Sequence, residues 1–409
     1  MSLEPGICYR VLPFTRVVEG EDVVIGLPGT SSFLAVSRDI VAILDWLDDG
    51  KSLAEARELY ERSFGDAEDL PGAVEILAAK GFLLPDSLER PSGSGEERDT
   101  SGAASRSPLT LVSKFYGPMG LSLQVAFLAL AGALLWLDSG LIPGIRVLFF
   151  ERHVTLTSLA VIVLSLSTLA LHELAHIAAA WRKGVRSRLG VSHRLWMPVV
   201  ETDLSGLWSL PRRERFIPIL AGPLADGVFC SLMILLLFGE RRGWIRFGDL
   251  GESLLQAILV ISVFRILWQC LLFVRTDFYY ALAHLMGCKN LMTDTEEYLR
   301  GLGKSALRRH AFPGLTRLPL SERRAVRAYS VLWLLGRLLA LIFLGMVQIP
   351  LMLHYLGLFL HAVAGQPARS LYQVADTFIV ALFVLLVNGM GFGLWIHNLL
   401  QRGSQIGPS

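Results

Sequence analysis

The stretch from Val154 to His176, VTLTSLAVIVLSLSTLALHELAH, decides how this chain is read. From Val154 to Ala170 it carries no charged side chain, and Leu171-His172-Glu173-Leu174-Ala175-His176 closes it. Two histidines four residues apart on a helix lie on one face, one turn apart. That spacing lets both imidazoles grip a single divalent metal, most often zinc. Glu173 stands beside them, placed to take a proton from water at that metal. The alternative is a chance occurrence of His-Glu-x-x-His. Against it stands the setting: His and Glu are costly in an apolar helix and, where found there, usually functional.

The 409 residues are enough for two or three domains. They are 53% hydrophobic and 18% charged, with a mean hydropathy of +0.50. The apolar residues come in long blocks, which predicts a multi-pass α-helical membrane protein. The first 110 residues are mostly polar and predict a folded soluble domain with no signal peptide. The four cysteines, Cys8, Cys230, Cys270 and Cys288, form no C-x-x-C pair. Cys230 and Cys270 fall inside apolar runs, so buried free thiols are expected.

Residues 1–85 predict a small α+β domain of winged-helix order. Val23 to Leu27 and Ser32 to Val36 flank Pro28-Gly29-Thr30 as a hairpin. Ile40, Ile43, Leu44 and Leu47 recur at helical spacing up to Asp49-Gly50. Ser52 and Glu55 form a capping box opening a second helix. Leu70, Ala73, Val74 and Leu77 give a third, ended by Gly81, with Phe82-Leu83-Leu84 as a closing strand. This pattern, from Leu27-Pro28-Gly29 through Leu34, Ile40 to Gly50, and Ala73 to Leu83, resembles the PqqD-like recognition element. The resemblance implies that residues 1–85 bind the leader segment of a ribosomally made peptide as an added edge strand. A winged helix that only stabilises, dimerises or binds DNA is the other reading. No basic stripe supports the last, since Asp45, Asp48, Asp49, Glu55, Glu58 and Glu61 make the surface acidic, so no nucleic-acid partner is expected. Residues 86–108, rich in Pro, Ser, Gly and mixed charge, read as a flexible tether.

Residues 109–409 predict about six transmembrane helices, near 119–137, 154–181, 217–238, 254–274, 329–349 and 373–396. The short apolar stretch 351–363 reads as an extension or an interfacial segment. Arginines and lysines crowd the segments between spans two and three and between spans four and five. The opposite loops hold few, apart from Arg241, Arg242 and Arg246. The bias places both termini on the cytosolic side of a bacterial-type cytoplasmic membrane.

A catalytic zinc site usually takes three protein ligands. In this topology His172 and His176 lie towards the cytosolic end of span two, and span four also ends on that side at Val274 to Tyr280. Asp277 is therefore a candidate third ligand, with His284, Glu201 and Asp203 as rivals. His193 and His153 are further candidates, the latter on the opposite side. Asp226 lies at a similar depth in span three. It is a candidate for contact with water at the metal, a substrate amide or a ligating histidine, or for a plain interhelical hydrogen bond. Arg265, Gln269 and Asn388 are polar within spans and receive no assignment. Residues 185–204 alternate in polarity, as a hairpin at the membrane edge would, and an exposed strand edge could hold a substrate extended.

His172-Glu173-x-x-His176, Ala221-Gly222-Pro223-Leu224-Ala225-Asp226 and Asp277-Phe278-Tyr279-Tyr280, in that order, resemble the motifs of the site-2 protease family of intramembrane zinc metalloproteases. The last is similar to the Asp-Gly-Tyr-Tyr form of its peptide zinc metalloprotease branch, with Phe278 for Gly and Asp226 where Asn is usual. The resemblance covers about residues 115 to 300. It implies zinc held by His172, His176 and Asp277, Glu173 as general base, and Asp226 near the substrate. The expected function is cleavage of a ribosomal peptide precursor near the cytosolic face. Two alternatives stay open: a regulatory protease cutting a membrane-anchored protein, and a non-enzymatic metal-binding escort working with an export partner. Membrane lipid and a peptide or membrane-protein substrate are the expected partners.

Overall fold

In a computed structural model of the chain, the residues described are 9–19, 22–27, 32–65, 70–85, 108–144, 147, 154–194, 197–288, 290–308 and 320–363, with isolated positions between 375 and 393. The chain divides into two compact units. One comprises Met1–Tyr116, Ile177–Arg188 and Asp203–Pro218, the other Gly117–His176, Leu189–Thr202 and Ile219–Ser409.

The first unit opens with β1 (Tyr9–Val11), β2 (Thr15–Glu19), β3 (Asp22–Gly26) and β4 (Phe33–Ser37). The helices α1 (Arg38–Asp48), α2 (Leu53–Phe64) and α3 (Leu70–Ala79) and the strand β5 (Leu83–Pro85) follow. The expected hairpin is present as antiparallel β3 and β4, with Val23 opposite Val36. Its turn, 28–31, falls outside the described residues, as does the tether over 86–107. Two further strands accompany the elements read from sequence. β2 extends β3 into a three-stranded sheet, and β1 pairs with β5. Alternation packs Val23 and Ile25 of β3 against Ile43, Leu44 and Leu47 of α1 and Val74 and Leu77 of α3, with Phe82 and Leu83 closing the cluster. Gly50 and Gly81, read as helix stops, have φ of +83° and +84°, a region that L side chains rarely enter.

The capping box at α2 is formed in both directions. Glu55 N–H donates to Ser52 Oγ (3.3 Å), and Ser52 N–H donates to Glu55 Oε2 (2.8 Å). Replacing Ser52 by Ala orphans a helix-end donor and should cost about 1 kcal/mol. Hydrogen exchange at the first amides of α2 should then accelerate roughly fivefold if they open by local fraying. Unchanged exchange there would mean that tertiary packing, not the cap, holds the helix start.

In the same unit, Arg215 is buried despite its charge. Its guanidinium ion-pairs with Glu19 of β2, donates to the carbonyls of Leu210 (2.8 Å) and Trp208 (3.1 Å), and lies 4.7 Å from the centroid of a Trp208 ring. A buried cation is tolerable only when paired, and these contacts meet its Nε and Nη2.

The second unit is built on long helices. They are α4 (Pro118–Leu137), α5 (Val154–Arg182, whose last turns belong to the first unit), α6 (Arg212–Arg241, whose start as far as Pro218 belongs to the first unit), α7 (Gly248–Gln269), α8 (Asp277–Met286), α9 (Leu291–Arg308) and α10 (Leu320–Phe343). Five helical stretches among the described residues are long and apolar enough to cross a membrane: Pro118–Leu137, Leu159–Arg182, Arg212–Arg241, Gly248–Gln269 and Glu322–Met346. This is the make-up of a multi-pass helical membrane protein. Leu123, Val125 and Trp136 on α4, and Leu334, Leu335 and Leu338 on α10, stay exposed, as lipid-facing side chains would. The sixth expected span, 373–396, lies almost wholly outside the described residues, and Asn388 with it. The stretch 351–363 belongs to a helix, Ile349–Val363, that follows α10 through a π-helical turn at Leu344–Gln348.

Two expectations need correction. Span four ends at Gln269 rather than near residue 274. Cys270 caps it, and Thr276 folds back to donate from Oγ1 to the Gln269 carbonyl at 2.9 Å. Leu271 to Val274 keep the sequence apolar past the true end, so hydropathy could not mark it. Cys270 is accordingly exposed rather than buried, whereas Cys230 is buried as expected.

Candidate metal centre

Helix α5 presents His172, Glu173 and His176, all buried. The fourth-residue spacing brings the two Nε2 atoms to 3.3 Å from each other. The third donor comes from α8. Thr276 is its N-cap, accepting the Tyr279 N–H at Oγ1, so Asp277 is the first helical residue. The Asp277 N–H donates to Gln269 Oε1 at 3.0 Å, which ties the start of α8 to the end of α7. Below it, Tyr279 OH accepts from Met292 N–H (3.0 Å), and Tyr329 OH donates to the Leu272 carbonyl (2.7 Å). Thus anchored, Asp277 places Oδ2 3.1 Å from His172 Nε2 and 3.4 Å from His176 Nε2.

Among the described residues, His172, His176 and Asp277 are the one group of three that could hold a metal ion. The donor chemistry fits one. Asp226 on α6 lies with Oδ2 2.8 Å from His172 Nδ1. A carboxylate only accepts, so Nδ1 carries the proton, and with a metal in the triangle the Nε2 lone pair would be the one turned to it. That lone pair faces a carboxylate oxygen and a second imidazole nitrogen, a convergence that a cation relieves. The edges of the triangle also fit: ligands about 2.0–2.1 Å from a tetrahedral ion stand roughly 3.3–3.4 Å apart. Room is made by Gly222 of α6, where a Cβ would fall on the Nε2 atoms of both histidines. With a divalent ion bound, the negative charges of Asp277 and Glu173 are matched, and Asp226 is matched by Arg265.

Glu173 points its Oε2 at Thr202 Oγ1, which donates at 2.7 Å; the same hydroxyl lies 3.3 Å from the Glu173 carbonyl oxygen. Thr202 belongs to the hairpin expected over 185–204, seen as paired strands β6 (Arg188–Arg194) and β7 (Met197–Asp203). The hairpin thus fixes the carboxylate placed beside the donors.

The rivals for the third position stand elsewhere. Asp203 accepts from the backbone N–H (2.9 Å) and the hydroxyl (2.5 Å) of Ser205, and neither Glu201 nor His284 joins the metal-capable group. His153 lies outside the described residues, and the His193 side chain is not among those described. Of Asp226's possible partners, the structure brings it to His172 and Arg265. Sequence reasoning did not find Thr202, Gln269, Thr276 or the spacing role of Gly222. Of these, Gln269 stood out only as a polar residue within a span and Gly222 only as part of the Gly-Pro motif; Thr276 left a signal as a Thr directly before the candidate ligand, where helix caps are common, and Thr202 left none. Comparison of the chain with family models, with curated proteins and with solved structures returns no match.

Proposed function

We propose that this chain is a zinc-dependent endopeptidase of the membrane, similar to the site-2 proteases, that cuts a ribosomally made peptide precursor captured by residues 1–85. The observation that carries this reading is the triangle of His172 Nε2, His176 Nε2 and Asp277 Oδ2, with the acid Glu173 one residue along the same helix. Two imidazoles and one carboxylate suit zinc among the common divalent ions. Bound there, zinc would supply Lewis acidity, polarising the scissile carbonyl and acidifying water. Glu173 takes the proton from the attacking water as its oxygen adds to the carbonyl carbon, then passes that proton to the amine as the C–N bond breaks. Thr202 holds the carboxylate in place for both transfers. The arginine and lysine bias of the loops supports a cytosolic position for both termini and for residues 1–85.

The test is purification in detergent with quantified metal, followed by incubation with a mass-spectrometric library of unstructured peptides. About one zinc per chain is expected, with cleavage that phenanthroline stops and added zinc restores. A zinc-loaded protein that leaves the library intact, and also any short precursor encoded beside it, would overturn the protease reading in favour of a metal-binding escort.

A further inference from the structure

Helix α7 gives the donor triangle no ligand, yet it carries a buried arginine inside an apolar span. Arg265 has a side chain only 14% exposed, and a charge in such a helix is expensive unless it is paired and used. Its Nε lies 3.0 Å from each oxygen of Asp226, and Nη2 lies 2.8 Å from Oδ1. Its Nη1 donates to Thr168 Oγ1 at 2.9 Å, one turn before His172 on α5. Asp226, itself 2% exposed, then accepts from His172 Nδ1. The guanidinium therefore grips the two helices that must stay in register for His172 to face the site.

A packing contact alone would not need these charges. A neutral amide at 226 could accept the Nδ1 proton, and an apolar residue at 265 would sit in the span at no electrostatic cost. Four residues on, Gln269 lies on the same face of α7 and accepts the Asp277 N–H. One face of one helix thus serves two of the three donors.

We propose that Arg265, acting through Asp226, is a positioning residue of the metal centre: it holds His172 in the tautomer and orientation that turn Nε2 to the ion. The inference rests on the metal-binding reading and not on proteolysis. Cobalt(II), whose visible spectrum reports coordination geometry, is the probe, titrated into the metal-stripped full chain in detergent. Arg265→Met should weaken cobalt binding about 10- to 100-fold, the range for loss of groups that orient a ligating histidine, and should alter the spectrum. Arg265→Lys, which keeps the charge but not the fork, should recover part of the affinity. The double change Asp226→Ala, Arg265→Met leaves no unpaired buried charge and so guards against simple misfolding; it should show a loss of the same order. Parental affinity and spectrum in that double variant would overturn the proposal, even with a lowered melting temperature. Failure of the unmodified chain to bind cobalt would instead overturn the metal centre itself.

Discussion

Glu173→Gln should leave the metal in place and reduce peptide hydrolysis by about 10²- to 10⁴-fold, the usual contribution of a positioned general base. The substitution keeps the length and shape of the side chain. Thr202 Oγ1, which donates to the Glu173 carboxylate at 2.7 Å, can donate equally well to an amide oxygen, so the local geometry should persist. What is lost is the ability to take a proton. Because Glu173 is not one of the three donors, bound zinc per chain should stay at the parental value, and this separates the variant from one in which the site has collapsed. The comparison is best made in single turnover against a peptide that the parent cleaves, with metal content measured on the same sample. Turnover within tenfold of the parent would remove Glu173 from the reaction and with it the mechanism proposed for the site.

The parts of this site that were legible in the sequence are those set by local geometry. His172 and His176 needed only the pitch of a helix. Asp277 followed from a count of spans and their direction, because two helices ending on the same side place their ends at similar depth. Asp226 and Arg265 stood out as polar residues in apolar runs, but only the approach of α5, α6 and α7 shows that Asp226 reaches His172 and that Arg265 reaches Asp226 and Thr168. Thr202 was hidden for a related reason: a threonine in a strand carries no mark of reaching a glutamate 29 residues earlier. In the first unit, the hairpin of β3 and β4 and the three helices were visible in alternation and capping. β1 and β2 were not, since β1 is three residues long and β2 leaves much of its length exposed. The end of α7 was misjudged because Leu271 to Val274 continue the apolar run through a turn.

Gly222→Ala should weaken metal binding severely while sparing the helix. In a helix interior, alanine is favoured over glycine by about 1 kcal/mol, so α6 itself gains from the change. The added methyl, however, would occupy the place where the Nε2 atoms of His172 and His176 meet. Neither imidazole can yield cheaply: His172 is held by Asp226, and both rings are buried. Either the histidines rotate away or α6 shifts outwards, and both movements open a triangle whose edges must stay close to those of a tetrahedral site. Affinity for zinc or cobalt should fall by at least about 100-fold, the upper end of what disturbing a group behind a ligand costs, because here the ligands themselves are displaced. Gly132→Ala on α4 is the control, since a Cβ there meets nothing within 4 Å, and its metal content should match the parent. If the Gly222 variant keeps one metal per chain at parental affinity, the ion does not sit between these two histidines, and the reading of the centre fails at its first step.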